Sequence, residues 1–269
     1  MIISTMSFAC MNGIVKHLVN MNAFQIVFFR SFSCLFFTFT FLLKNNIPIL
    51  GKKRGLLVLR GIVGVTSMAL FFMSTKYLPI GTAVSLRYMA PIFAAVFAVL
   101  LLKESIKPIQ WFFFAIAFSG VLVLKGLDTS LSAYGLFLIF ISAIFSGLVY
   151  IVISKIGKDE HPVVIVNYFM VIATIVGGVL AINNWVMPIG KEWFLVFGLG
   201  CFGYFGQVYM TKAFQIVKTN QIAPFKYLEV IFTLLLGVAL FSEVYSFWSL
   251  LGIALIITGL VLNVTYKSK

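Results

Sequence analysis

S-L-R-Y-M-A-P-I-F, residues 85–93, returns 139 residues later as P-F-K-Y-L-E-V-I-F, residues 224–232. Arg87 falls on Lys226, Tyr88 on Tyr227, Ile92 on Ile231 and Phe93 on Phe232. The same shift carries Gly61 to Gly200, Gly64 to Gly203, Glu104 to Glu243 and Gly120 to Gly259. Nearer the start the register is 134, with Ala9 and Gly13 on Ala143 and Gly147. The difference of five sits in the longer connection K-I-G-K-D-E-H-P, residues 155–162. One register held over so much chain, with a cation matched to a cation, divides the sequence into two halves, 1–127 and 131–269.

The 269 residues are 62% hydrophobic and 10% charged, with a mean hydropathy of +1.10. Soluble domains carry about 45–50% apolar and about 25% charged residues, so the chain is expected to be a polytopic membrane protein. Apolar stretches of helix-spanning length are read at 1–18, 23–43, 56–76, 79–102, 108–126, 132–154, 162–182, 193–217, 220–241 and 247–266. The first starts at Met1 with no basic leader and no small-residue cleavage site, so a cleaved signal peptide is not expected. Five spans per half is an odd number, which inserts the second half upside down relative to the first. The expected fold is all-α and integral to the membrane: ten transmembrane helices as two inverted five-helix repeats around a central cavity. Inverted repeats are the signature of many secondary transporters, with substrate near the midplane between the halves.

The net charge of +13 invites a nucleic-acid reading, and its placement argues against one. Alternate connections put Lys44, Lys52, Lys53, Arg54, Lys103, Lys107, Lys155, Lys158, Lys218, Lys267 and Lys269 on one side. The other side holds Lys16, Lys76, Lys125 and Lys191. Eleven against four puts both termini in the cytoplasm of an inner or plasma membrane. Connection 2–3 is strongly basic while its repeat counterpart 7–8 has only Lys191, as inverted halves require. Cys10, Cys34 and Cys201 lie within apolar spans without ligand spacing and read as small buried residues.

Five cations remain inside spans: Arg30, Arg60, Arg87, Lys212 and Lys226. A cation at the centre of a membrane helix costs about 2.5–3.5 kcal/mol on insertion scales, so each needs a reason. Arg87 and Lys226 each stand about 12 Å into the core, from opposite faces, and so approach its midplane. They and their neighbours Tyr88 and Tyr227 are candidate cavity residues; a structural ion pair and aromatic packing are the competing uses. Arg30 fits helix-to-helix pairing as well as cavity lining. Arg60 and Lys212 lie nearer helix ends, where snorkelling is the expected behaviour. Glu229 is one turn from Lys226 on the same face, the i,i+3 spacing that lets two side chains meet. Tyr204, Gln207, Tyr209 and Asn12 are further lining candidates. Glu104 and Glu243 end their helices and are expected to bond to loop groups or basic neighbours.

Zinc-protease, phosphate-loop, paired-aspartate and histidine-rich patterns are absent, and His17 and His161 sit in or beside connections. No enzyme, metal or cofactor is therefore expected. A membrane-embedded enzyme or a channel is the competing class.

The sequence also resembles the drug/metabolite transporter superfamily, in particular its EamA-type ten-helix permeases. The resemblance is carried by Arg30, by R-Y-x-x-P at 87–91 ending in L-L-L-K-E at 100–104, by K-Y-L-E at 226–229 ending in L-F-S-E at 240–243, and by Gly120 and Gly259. It covers essentially the whole chain and departs at Val230, where a proline is common. It implies a fold around a central cavity and movement of small metabolites or drugs.

With Arg30, Arg87 and Lys226 against the single acid Glu229, the cavity is expected to be electropositive. That favours an amino acid, organic acid or other anionic or zwitterionic solute, with a cationic drug as the alternative. Glu229, whose repeat counterpart is Ala90, is also the candidate for coupling to protons. The remaining partner is the lipid bilayer, and a monomer or weak homodimer is expected.

Overall fold

The computed structural model describes residues 1–18, 20–78, 83, 86–125, 132–241 and 247–266, without the side chains of 16, 121, 124, 125, 241, 249, 260 and 264. Among them the secondary structure is helical: α1 (Ile2–His17), α2 (Ala23–Lys44), α3 (Arg54–Ser74), α4 (Ala90–Leu102), α5 (Pro108–Lys125), α6 (Ala133–Ile156), α7 (Pro162–Ala181), α8 (Glu192–Ile216), α9 (Leu228–Phe241) and α10 (Phe247–Thr265). Helix is what this composition dictates, because backbone groups in hydrocarbon must be satisfied within their own segment. Six stretches are long and apolar enough to cross a membrane: Ala23–Lys44, Arg54–Ser74, Ala133–Asp159, Pro162–Asn184, Glu192–Ile216 and Thr219–Leu240. Shorter apolar helices run over Ile2–Val15, Ala90–Leu102, Pro108–Gly120 and Leu250–Asn263. Phe36, Phe112, Val179, Leu235 and Leu240 lie exposed on the outside, which suits a lipid-facing surface. The protein is an all-α, multi-pass membrane protein.

Packing joins early helices to late ones. The extensive pairs are α5 with α10, α2 with α7, α3 with α6, α1 with α8, α2 with α8, α4 with α6, α1 with α9 and α3 with α7. Small residues set several of these seams, as expected where lipid supplies no hydrophobic drive. A Cβ on Gly120 would meet the Gly252 carbonyl at 2.6 Å, and one on Gly259 would meet the Ala117 nitrogen at 2.7 Å. Gly61 is pressed by Ile172 and Gly200 by Ser33. Between α3 and α6, Ser67 Oγ meets Ser146 Oγ at 2.6 Å and Ser142 Oγ donates to the Ser67 carbonyl at 2.7 Å. Between α1 and α8, Ser4 Oγ donates to the Gly206 carbonyl at 2.7 Å.

The two ends differ in chemistry. At the basic end, Glu160 accepts the backbone N–H groups of Lys52 and Lys53, and Lys53 Nζ lies 2.5 Å from Asp159. That ammonium holds the Asp159 carboxyl below the usual carboxylate range. Tyr168 donates to the Leu50 carbonyl at 2.9 Å and Gln215 to that of Glu160 at 2.8 Å. At the same end, α4 closes with Lys103 in the left-handed region (φ 54°). This turn aims Glu104 at the start of the Thr219–Ile222 turn, where it accepts from Thr219 N at 3.0 Å and Asn220 N at 3.1 Å. Glu104 thus bonds loop-side backbone donors as expected, whereas Glu243 lies outside the described residues. At the opposite end the link is neutral: Gln25 bonds both backbone groups of Val186.

Candidate functional site

The two quoted stretches share a departure from regular α-helix. The sequence reads each as part of one apolar span, 79–102 and 220–241. Instead, Tyr88 and Met89 form a turn ahead of α4, and Ala223–Tyr227 is a 3-10 segment ahead of α9. In the first stretch Met89 N bonds the Leu86 carbonyl at 3.0 Å and Ile92 N bonds that of Met89 at 2.9 Å, both three residues back. Pro91 is the cause: it has no N–H, and its ring would clash with the carbonyl of Arg87. Pro224, at the start of the 3-10 segment, does the same to Asn220 in the second stretch. Both interruptions fall on the cation–tyrosine pair.

Around Lys226 the charges are matched. Its Nζ lies 2.5 Å from Glu229 Oε2, with the side chains 11% and 13% exposed, so the pair is largely withdrawn from solvent. Asn12 Nδ2 on α1 donates to Glu229 Oε1 at 3.3 Å, and the ammonium sits 4.4 Å from the centre of the Phe8 ring. Arg87 is placed differently. Its Cζ stands 4.7 Å over the Phe71 ring, a cation–π contact, and no carboxylate among the described residues lies within ion-pair distance of it. Tyr88 and Tyr227 meet each other, ring centroids 6.3 Å apart. Tyr227 is fully buried with its hydroxyl unpartnered.

Arg30 on α2 runs past Gly203 of α8, and its Nη1 reaches Met68 Sδ at 3.8 Å while Nε has no partner. It lies within electrostatic reach of Arg87 and Glu229. Arg60 corrects the sequence reading. It does not snorkel but is 1% exposed, because α7 closes over it: its Cζ lies 4.3 Å from the Phe169 ring. Its Nη2 donates to Gln207 Oε1 at 3.1 Å. Lys212 is exposed, in keeping with its expected place near a helix end.

The structure therefore gathers Asn12, Lys226 and Glu229, pairs Tyr88 with Tyr227, and sets Arg30 and Arg87 near them. Gln207 belongs to Arg60, and Tyr204 stands apart, its ring 5.9 Å from Phe37 in the α2–α8 seam. Phe8 and Phe71 were missed, and Arg60 was read only as a snorkelling cation; Phe8 carried a signal, being one helical turn before Asn12. The interior holds Arg30, Arg60, Arg87 and Lys226 against Glu229, an excess of positive charge. Among the described residues no group of three or more His, Cys, Asp or Glu side chains gathers to hold a metal.

The EamA-like transporter family matches this chain twice, over residues 1–125 and 133–265. The pseudopaline exporter CntI of Pseudomonas aeruginosa is 26% identical over 265 residues, covering 97% of this chain and 93% of its own. An S-adenosylmethionine uptake transporter of Rickettsia felis is 28% identical over 257 residues, with 93% and 85% covered. Human solute carrier family 35 member G1 is 24% identical over 289 residues, covering 100% of this chain and 79% of its own. A solved crystal structure superposes with a TM-score of 0.86 over 98% of this chain and 94% of its own, at 17% identity, a likeness of fold alone. Matched along nearly its whole length, the chain belongs to the EamA-like transporter family of the drug/metabolite transporter superfamily and is a secondary transmembrane transporter.

Proposed function

We propose that the protein moves a small anionic or zwitterionic metabolite by alternating access, in ten transmembrane helices arranged as two inverted five-helix repeats, 1–127 and 131–269. The repeat reading is supported by contacts that recur under one shift. Gly61 on Ile172 becomes Gly200 on Ser33 when both numbers move by 139, and Gly120 with Gly252 becomes Gly259 with Phe113. The main helix pairs also map onto one another when each label moves by five: α3–α6 onto α8–α1, α4–α6 onto α9–α1, and α2–α8 onto α7–α3. The double family match, over 1–125 and 133–265, falls within these two halves.

The substrate site lies between the halves, lined by Arg30, Arg87, Tyr88, Lys226, Tyr227, Glu229 and Asn12, with Gln207 and Tyr204 further out. One observation carries the substrate class: Lys226 is already neutralised by Glu229, so Arg87 and Arg30 are the cations left for a carboxylate. A cation exporter would want its interior acid free. Relatives named for export and for uptake leave the direction open.

The basic end is cytoplasmic, with both termini there, by the placement of lysine and arginine. The chain works in the inner or plasma membrane as a monomer or weak homodimer. Glu229, the carboxylate paired with Lys226, is the candidate for coupling to protons.

Proteoliposomes test the function. A preloaded unlabelled amino acid or organic acid should stimulate saturable uptake of its labelled form. Uptake that neither saturates nor responds to preloading would indicate a pore. Under proton coupling, Glu229→Gln keeps exchange but loses the response of net uptake to an imposed pH gradient. Wild-type uptake indifferent to that gradient removes the coupling.

A further inference from the structure

Arg60 sits on α3 about 9 Å from the Arg54 start of the helix, nearer the basic end than Arg30. Its surroundings are made for a guanidinium yet leave the charge unanswered. The Phe169 ring covers one face at 4.3 Å. Gly64 clears the space beside Nη1, where any Cβ would collide with it. Gln207 Oε1 takes one N–H at 3.1 Å, while Nε and Nη1, both buried, have no partner. Among the described residues no carboxylate stands within ion-pair distance of Arg60. Arg30 lies within electrostatic reach and repels it.

Arginine cannot relieve this by giving up its proton. A buried ion is tolerated when paired and fully hydrogen-bonded, and the guanidinium fork matches a carboxylate bidentately. A water molecule could accept from the free donors but would not neutralise the charge. We propose that Arg60 and Gln207 form an anion subsite that takes a carboxylate group, separate from Arg87 and Lys226 and on the basic side of the interior. The carboxylate accepts from Nε and replaces Gln207 Oε1 at Nη2, and the freed amide of Gln207 turns its own N–H towards the anion. Gln207 is thus a neutral placeholder for the ligand. The subsite deepens the anionic-substrate reading and rests on it for its place in transport, since a solute released towards the basic end passes from the Arg87 region to Arg60.

The test is thermal unfolding of the purified full chain in lipid nanodiscs, with sodium acetate replacing sodium chloride at constant ionic strength and acetamide as the uncharged control. At ten times the half-saturating concentration, acetate should raise the midpoint by roughly 3–6 °C, and acetamide should not. Arg87→Gln, which removes the main site, should keep a part of the rise, and Arg60→Gln/Arg87→Gln should lose that part. Gln207→Leu should enlarge it, because the vacated donor then waits for the anion. No rise over chloride, or a rise that Arg60→Gln leaves undiminished, overturns the subsite. If Arg60→Gln does not fold, Gln207→Leu decides: an unchanged or smaller rise rejects the proposal. A rise lost in Arg87→Gln and kept in Arg60→Gln supports the main site and rejects this one. A rise that needs Arg60 but not Arg87, in a protein showing no carboxylate counter-exchange, retains the subsite and rejects the transport reading.

Discussion

Arg87 and Lys226 occupy the same position in the two halves of the sequence, each beside a tyrosine and each at an interrupted helix, yet they are neutralised differently. Lys226 finds Glu229 one turn away at 2.5 Å, with Asn12 bonded to the far oxygen of that carboxylate. Arg87 has Ala90 at the position of Glu229 and rests on the face of Phe71. The two matched stretches thus hold a cation at the same place and differ in what stands beside it. One cation became a closed ion pair. The other, half-buried, has no carboxylate beside it among the described residues, and a guanidinium without one can take a carboxylate bidentately.

The largest expected effect breaks the closed member. Lys226→Gln leaves Glu229 enclosed without its ammonium, and removing one partner of a buried pair costs about 3–5 kcal/mol. Folded protein in the membrane should fall sharply, and Lys226→Gln/Glu229→Gln should restore it. Fluorescence-detected size exclusion of tagged variants reads this directly. Equal yields of the single and double variants would mean that the pair is not closed in the working protein.

Arg87→Gln comes next and acts on transport instead of folding. It should leave yield near wild type and cut exchange by about 30-fold or more, corresponding to about 2 kcal/mol of lost binding. Arg87→Lys sharpens the result: if the guanidinium forks onto a carboxylate, lysine restores little, and if it supplies charge alone, lysine restores much. Full exchange by Arg87→Gln would remove Arg87 from the site.

The symmetric seam should respond symmetrically. Gly120→Ala and Gly259→Ala each drive a methyl into the facing backbone, with an overpacking cost of about 1–3 kcal/mol. Thermal midpoints should fall by similar amounts in both variants. A large fall in one and none in the other would argue against a twofold-related α5–α10 contact.

How far the sequence carried these comparisons depended on whether a property was local or tertiary. The Lys226–Glu229 contact is a spacing of three on one helix face, so it could be read directly. The repeat register makes Tyr88 and Tyr227 equivalent, while their meeting comes from the assembled bundle. The helix interruptions have their cause in the sequence, Pro91 and Pro224, but an apolar run of membrane-spanning length shows the span and not the break within it. Arg60 was misplaced because counting residues from a helix end gives depth and not sideways neighbours. Its burial depends on α7 packing at Phe169, which only the assembled bundle supplies. Tyr204 looked like lining because it is polar and central, and its ring was taken up by the α2–α8 seam.

The smallest predicted effect contrasts the helix caps of the two halves. Asn22 Oδ1 accepts from Phe24 N at 3.0 Å, and 139 residues later His161 Nδ1 accepts from Val163 N at 3.2 Å. Burial, helped by Lys212, lowers the imidazole below its ordinary 6.5. The neutral form is the one favoured by folding. Its contribution is complete above that ordinary value and is lost as pH falls through it towards the lowered native value. Acid should therefore weaken the α7 end and not the α2 end. His161→Asn should flatten the fall in thermal midpoint between about pH 7 and pH 5; an unchanged fall would place the titrating group elsewhere.

The most direct measurement for the account as a whole is the thermal midpoint of purified wild-type protein and Arg87→Gln against organic acids, amino acids and quaternary ammonium compounds. A carboxylate-bearing solute should raise the wild-type midpoint saturably, Arg87→Gln should lose most of that rise, and quaternary ammonium compounds should do nothing. Stabilisation by quaternary ammonium compounds, with no response to anions or zwitterions, would contradict an open cation as the heart of the site.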